Sequence, residues 1–218
     1  MDEAGKKKDK MNSFSVPLGL FDYINPVCYA VTTATLAFRL CKAMPLPLFI
    51  LFAAGAVLSL IFGFTIPTVK LLVGLGKMSF KMPVNLVFYV NTGIFLSGLA
   101  LLGYVVSVKP LTAIIAVLLI AALLGLIWKK TKKFNTVAVL TGAAGYLMIY
   151  SSLIVLSARA GSVFPIVLYA FAIGLFFFLC AVGIGSDLKK PKVHWAIEIA
   201  NVLCQFSVAL ATVILLFF

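Results

Sequence analysis

Acidic side chains are scarce in this chain: six Asp and Glu stand against 18 Lys and Arg, and charge of either sign makes up 11% of its 218 residues. Histidine occurs once, at His194. One histidine is too few for a multi-ligand zinc hydrolase or for a bis-histidine haem. The four cysteines, Cys28, Cys41, Cys180 and Cys204, form no C-x-x-C pair, so a zinc site of ordinary type is not expected and buried free thiols are. No lysine falls between Lys192 and Phe218, which excludes a retinal-type Schiff base in the last apolar segment. No cofactor motif, catalytic constellation or metal-ligand spacing stands out. The basic excess does not stripe a soluble face interleaved with stacking aromatics, so nucleic acid is not an expected partner.

What is abundant is apolar sequence. Hydrophobic residues make up 63% of the chain, well above the 45–50% or so of soluble domains, and this excess demands lipid as the main solvent. The expected fold class is all-α, a polytopic membrane protein. Apolar runs long enough to cross about 30 Å of hydrocarbon fall at 25–43, 48–69, 83–107, 110–128, 135–157, 162–185 and 194–218, which makes seven spans. Pro67 and Lys70 interrupt the second run, which reads either as one long kinked helix or as a span followed by a cytoplasmic amphipathic turn. Residues 1–24 read as a cytoplasmic tail, MDEAGKKKDK at its start, with an interfacial segment near Leu18 to Ile24; residues 25–218 form the membrane domain. The tail lacks the apolar stretch and small-residue cleavage site of a signal peptide.

Loop charge sets the direction. Lys6, Lys7, Lys8 and Lys10, then Lys70, Lys77 and Lys81, then Lys129, Lys130, Lys132 and Lys133, then Lys189, Lys190 and Lys192 fall on one side. Arg39, Lys42, Lys109 and Arg159 fall on the other. This bias predicts the N-terminus in the cytoplasm and the C-terminus outside. Trp128 and Trp195 then lie at cytoplasmic ends of spans, as an aromatic belt requires. Short loops and the absence of a cleaved signal point to a prokaryotic inner membrane.

A shift of 109 positions aligns two parts of the chain as an internal repeat would, although two helical hairpins of similar composition also match in this way by chance. Val73-Gly-Leu-Gly-Lys-Met-Ser-Phe-Lys81 lies over Val182-Gly-Ile-Gly-Ser-Asp-Leu-Lys-Lys190, and Asn85, Tyr89 and Thr92 meet His194, Glu198 and Asn201. Thr32 and Ala34 meet Thr141 and Ala143. The expectation is two parallel three-helix bundles, 25–107 and 135–218, joined by a linker helix at 110–128 that is nearly all aliphatic. This layout resembles the three-plus-one-plus-three plan of the SWEET sugar facilitators and the related vitamin-precursor transporters. The resemblance is one of layout; the chain has no proline–glutamine motif, and no residue roles carry over from it.

The last span carries the main candidate site. His194, Glu198, Asn201 and Gln205 are spaced four, three and four apart, which puts them within roughly 60° of one helix face and over a rise of about 16 Å. Lipid cannot satisfy such a stripe, so it must face protein or water. Glu198, the one acid inside a span, must be hydrated, paired or neutral, and His194 one turn away is a candidate partner. The competing reading is hydrogen bonding between packed helices, or interfacial hydration. Asn85, Tyr89 and Thr92 would supply a second polar face at matched depth, lining one cavity with the first. Small residues four apart, Ala121/Gly125, Ala138/Gly142, Ala170/Gly174 and Ser207/Ala211, mark close helix contacts. Tyr146, Tyr150, Ser151 and Ser152 lie toward the outer side and rank below these as site residues.

The leading functional expectation is a transporter or facilitator of a small polar or cationic solute, with Glu198 as the cation- or proton-sensitive group. The alternatives are an accessory or sensor subunit of a larger complex, and a metal-free lipid-processing enzyme using Asp22, Asp187 or Glu198. The lipid bilayer is the first partner, with a second copy or a partner subunit next.

Overall fold

The computed structural model describes residues 15–77, 84–107, 134–185 and 191–217. Among these residues the chain forms helices and no strands: α1 (Val16–Asp22), α2 (Ile24–Leu40), α3 (Leu46–Gly74), α4 (Val84–Val105), α5 (Phe134–Arg159), α6 (Val163–Gly185) and α7 (Pro191–Leu215). A backbone in hydrocarbon must satisfy its polar groups internally, and the helix does so within one segment. Five helices, α3 to α7, are long and apolar enough to cross a membrane. Large apolar side chains such as Phe38, Ile50, Phe164, Phe171 and Phe206 face outward, which water would not tolerate over so wide a surface. The chain is an integral membrane protein. The expected span at 110–128, Trp128, Ala121/Gly125 and Asp187 lie outside the described residues.

The first expected span, 25–43, is α2, and α1 precedes it at the expected interfacial segment. Ser15 caps α1, its hydroxyl accepting from the Leu18 amide at 3.4 Å. α1 then breaks at Tyr23, where Pro26 has no N–H to give the Asp22 carbonyl. α2 has 17 residues, about 25 Å at 1.5 Å each, and so falls short of the hydrocarbon thickness on its own. In the second run the single long helix holds against a span followed by a separate turn: α3 is one 29-residue helix with Pro67 inside it.

Each of α2 to α6 packs against its successor where both are in contact through the described residues, and α7 closes the ring against α2. Glycine sets the closest approaches. A methyl group on Gly93 would stand 2.5 Å from the Gly55 carbonyl oxygen and 2.6 Å from the Ser59 nitrogen, and one on Gly98 would stand 2.5 Å from the Gly145 carbonyl oxygen. α4 is thereby wedged between α3 and α5. Ser59 donates to the Val90 carbonyl at 2.7 Å, Ser97 to Phe52 at 3.2 Å and Asn91 to Ala138 at 2.9 Å. Of the small-residue pairs, Ala138/Gly142 sits at such a contact, with Asn91 against Gly142, whereas no described atom lies within 4 Å of a methyl placed on Gly174. Gly93→Ala is accordingly expected to cost about 1–3 kcal/mol, and Gly174→Ala to be neutral or stabilising by up to about 1 kcal/mol. Thermal unfolding of the two variants in detergent checks the contrast.

α4 and α5 run in the same direction: Asn91 meets Ala138 near their starts, and Arg159 donates to the Val105 carbonyl at 2.8 Å at their ends. α2 and α7 are likewise parallel: Phe21, in α1 just ahead of α2, is in ring contact with Trp195 near the start of α7, and Arg39 at the end of α2 donates to the Leu215 carbonyl at the end of α7. Two arginines thus satisfy the exposed C-terminal carbonyls of two helices.

Candidate functional site

At the end of the bundle opposite the two arginines, three charged side chains meet. Asp22 ends α1, Lys70 lies one turn before the end of α3, and Glu198 lies two turns into α7. The Lys70 Nζ stands 2.7 Å from Asp22 Oδ2 and 2.8 Å from Glu198 Oε1. Lys70 is 8% exposed, and Asp22 and Glu198 are each 6% exposed. These are the only two acidic residues among the described residues, and both converge on one lysine. Asn25 Nδ2 donates to the other Asp22 oxygen at 3.0 Å, and Tyr23 and Thr68 join α3 to the α1–α2 break through their hydroxyls at 2.6 Å. α3 and α7 are not packing neighbours in the ring, so they are tied by this ion layer and by α1, which packs against both. Removing ions from water is costly unless each finds a partner, and here one cation serves two anions.

The ion layer opens onto a cavity of about 210 Å³. Asp22, Asn25, Lys70 and Glu198 line one end; Ser59, Asn201 and Gln205 continue the polar wall, and Tyr29, Tyr146, Val90 and Ile94 complete it. Tyr29 donates to Ser97 at 3.5 Å, and Gln205 lies within hydrogen-bonding reach of Tyr146 and Tyr150. Behind it Tyr150 meets Cys204 Sγ at 3.5 Å, and Cys204 donates to the Ala172 carbonyl at 3.3 Å. Two prolines border the cavity. Pro26 deprives the Asp22 carbonyl of its helical donor, and Pro67 does the same to Gly63.

Glu198, Asn201 and Gln205 therefore line one cavity, as their spacing places them on one face. His194 is not on its wall but stands beside it, its Nε2 3.7 Å from Glu198 Oε1. Asn85, Tyr89 and Thr92 lie elsewhere: Asn85 is exposed, Tyr89 stacks on Phe62 at 4.7 Å on the outer side, and the Thr92 hydroxyl is buried without a hydrogen-bond partner among the described residues. α4 faces the cavity with Val90 and Ile94 instead. Its rotation is set by the Gly93 and Gly98 contacts, which point the 85–89–92 stripe away.

The polar wall opposite α7 comes from Asn25, Tyr29 and Lys70, which are not among the expected site residues, from Asp22, expected only as an acid of a lipid-processing enzyme, and from Tyr146, expected toward the outer side but drawn to the cavity by the close α4–α5 packing. Lys70 did carry a signal. It sits inside an apolar run that continues to Gly76, where a lysine without a carboxylate partner would be costly. Asp22 precedes Pro26 by one turn, a helix-break pattern with an acid at the break. Chemically, the assembly can hold a small polar guest against a protonatable ion layer. No protein-family model, curated protein or solved structure matches the chain, so the cavity and its ion layer are the basis for reading its function.

Proposed function

We propose that the protein is a small-solute transporter or facilitator whose solute passes through the cavity under the Asp22–Lys70–Glu198 layer. The observation that carries this reading is the cavity itself. A membrane chain with only two acids among its described residues brings both of them to one polar cavity. Packing alone would have no need to leave an ion layer facing an open volume. Glu198, Asn201 and Gln205 form the solute-facing wall in this reading, with His194 as a proton partner of Glu198. Asn85, Tyr89 and Thr92 have no place in it.

The seven-span, three-plus-one-plus-three plan belongs to the same proposal. The ring supports two parallel triplets: α2 matches α5, α3 matches α6 and α4 matches α7. The two parallel junctions, α4 with α5 and α7 with α2, then become equivalent, each closed by an arginine at the same end. Parallel α4 and α5 also fit an odd number of crossings between them, which is the role given to 110–128. Parallel repeats about an axis along the membrane normal, with the solute between them and discontinuous helices at the site, are a known transporter arrangement. The α1–α2 break and the proline inside α3 fit that pattern.

The charge bias puts the ion-layer end in the cytoplasm and the arginine end outside. Cys41 is exposed at the arginine end, whereas Cys28 and Cys204 are buried. A membrane-impermeant maleimide added to intact cells is expected to label Cys41, with labelling lost in Cys41→Ser. Labelling of Cys41 only after lysis reverses the orientation. Transport is tested by saturable uptake into proteoliposomes, measured against protein-free vesicles; its dependence on Glu198 is the decisive readout.

A further inference from the structure

We infer that the cavity takes a small organic monoamine in its ammonium form, an inference that deepens the transport reading and rests on it for the direction of use. Charge is the first argument. Fully ionised, Asp22 and Glu198 would carry two negative charges against the one positive charge of Lys70, all three more than nine-tenths buried. With His194 neutral, that layer is short of one positive charge, which a proton on the carboxylates or a bound cation supplies.

Hydrogen bonding is the second argument. Lys70 donates to Glu198 Oε1 and Asn25 Nδ2 donates to Asp22 Oδ1, whereas Asp22 Oδ2, 2.7 Å from the Lys70 Nζ as an ion pair, receives no hydrogen bond among the described residues. The Asn25 carbonyl oxygen is buried in the same wall with no donor among the described residues. His194 and Lys70 both address Oε1 of Glu198 and not Oε2. The unmet demand is therefore for donors, and an ammonium brings three donors and no acceptor. An anion would find a single lysine that already holds two carboxylates.

Volume and lining are the third argument. At 210 Å³ the cavity equals roughly seven waters at about 30 Å³ each, far more than a bare ion fills. Away from the ion layer its wall turns to Tyr29, Tyr146, Val90 and Ile94, surfaces suited to a short carbon body, with tyrosine faces that also favour a cation. The guest is oriented with its ammonium at the carboxylates and its carbon chain toward the tyrosines.

Calorimetry on the full chain in nanodiscs tests this with butylamine, butanol, butyrate, ethanolamine and sodium chloride. Butylamine should bind more tightly than ethanolamine, and the neutral, anionic and bare-cation probes should not bind measurably. Asp22→Asn and Glu198→Gln should each weaken butylamine binding at least about 30-fold, as loss of a buried charge partner does. Asn201→Trp, which takes up much of the cavity without changing its charge, should abolish binding while the size-exclusion profile stays that of the wild type. Butanol binding as well as butylamine overturns the charge argument, and sodium competing equally overturns the organic guest. Binding that survives Asn201→Trp in folded protein overturns the location. Uptake of labelled ethanolamine separates the two readings. Binding without uptake removes transport and leaves the amine site, whereas uptake of a neutral solute without amine binding removes the amine site and leaves transport.

Discussion

Lys70→Met is expected to destabilise the protein more than any other single change at the cavity, by about 3–5 kcal/mol, the usual result of removing one partner from a buried ionic cluster. Methionine matches the lysine stem in length and apolar character, so packing along α3 is kept and only the ammonium is lost. What remains is Asp22 and Glu198, both nearly fully buried, facing each other with no cation between them. α3 and α7 have no other direct packing, so the end of the bundle around the ion layer loses its tie as well. In thermal unfolding the loss corresponds to a fall on the order of 10 °C. A compensating second change identifies the cause. Lys70→Met combined with Glu198→Gln removes one of the two stranded anions, and it should recover a large part of the loss in a double-mutant cycle. A double variant no more stable than Lys70→Met would show that the lysine acts through its stem and not its charge.

The prominence of Lys70 shows where a one-dimensional reading of this chain stops. Helix positions are legible because hydrocarbon forces long apolar runs into helices; α3 to α7 fall where hydropathy places them. The Glu198–Asn201–Gln205 face is legible for a related reason, since helical periodicity alone puts those side chains on one stripe. Lys70 and Asp22 are different. A lysine near a span end already satisfies the positive-inside bias, and an acid before the first apolar run already reads as interfacial. Nothing local announces that the two meet each other and a glutamate 128 residues beyond the lysine. The 85–89–92 stripe fails in the complementary way. Periodicity groups those residues correctly but leaves the rotation of α4 free, and that rotation is set by backbone contacts at Gly55, Gly93, Gly98 and Gly145. Tyr146 enters the cavity through the same α4–α5 packing, which draws α5 close enough for its ring to form a wall.

Glu198→Gln is the change expected to alter function most while sparing the fold. Glutamine keeps the volume of glutamate and still offers an oxygen to the Lys70 ammonium, so the remaining Asp22–Lys70 pair is neutral and satisfied. The missing positive charge that draws a cation into the cavity no longer exists. Uptake of ethanolamine into proteoliposomes should fall by about tenfold or more, the factor that 1.4 kcal/mol of lost pairing produces. The pH profile carries the sharper information. The groups facing Glu198 are Lys70 from α3, Asp22 from α1 and His194 from its own helix, and the phenols of Tyr29 and Tyr146 line the same cavity. In the wild type, acidification supplies a proton to this layer and so competes with the cationic solute, and uptake should fall toward low pH. In Glu198→Gln the layer is already neutral, and the residual uptake should lose that acid limb. A variant whose rate and pH profile both superimpose on those of the wild type would remove Glu198 from the pathway, and with it the claim that the ion layer does more than hold α3 and α7 together.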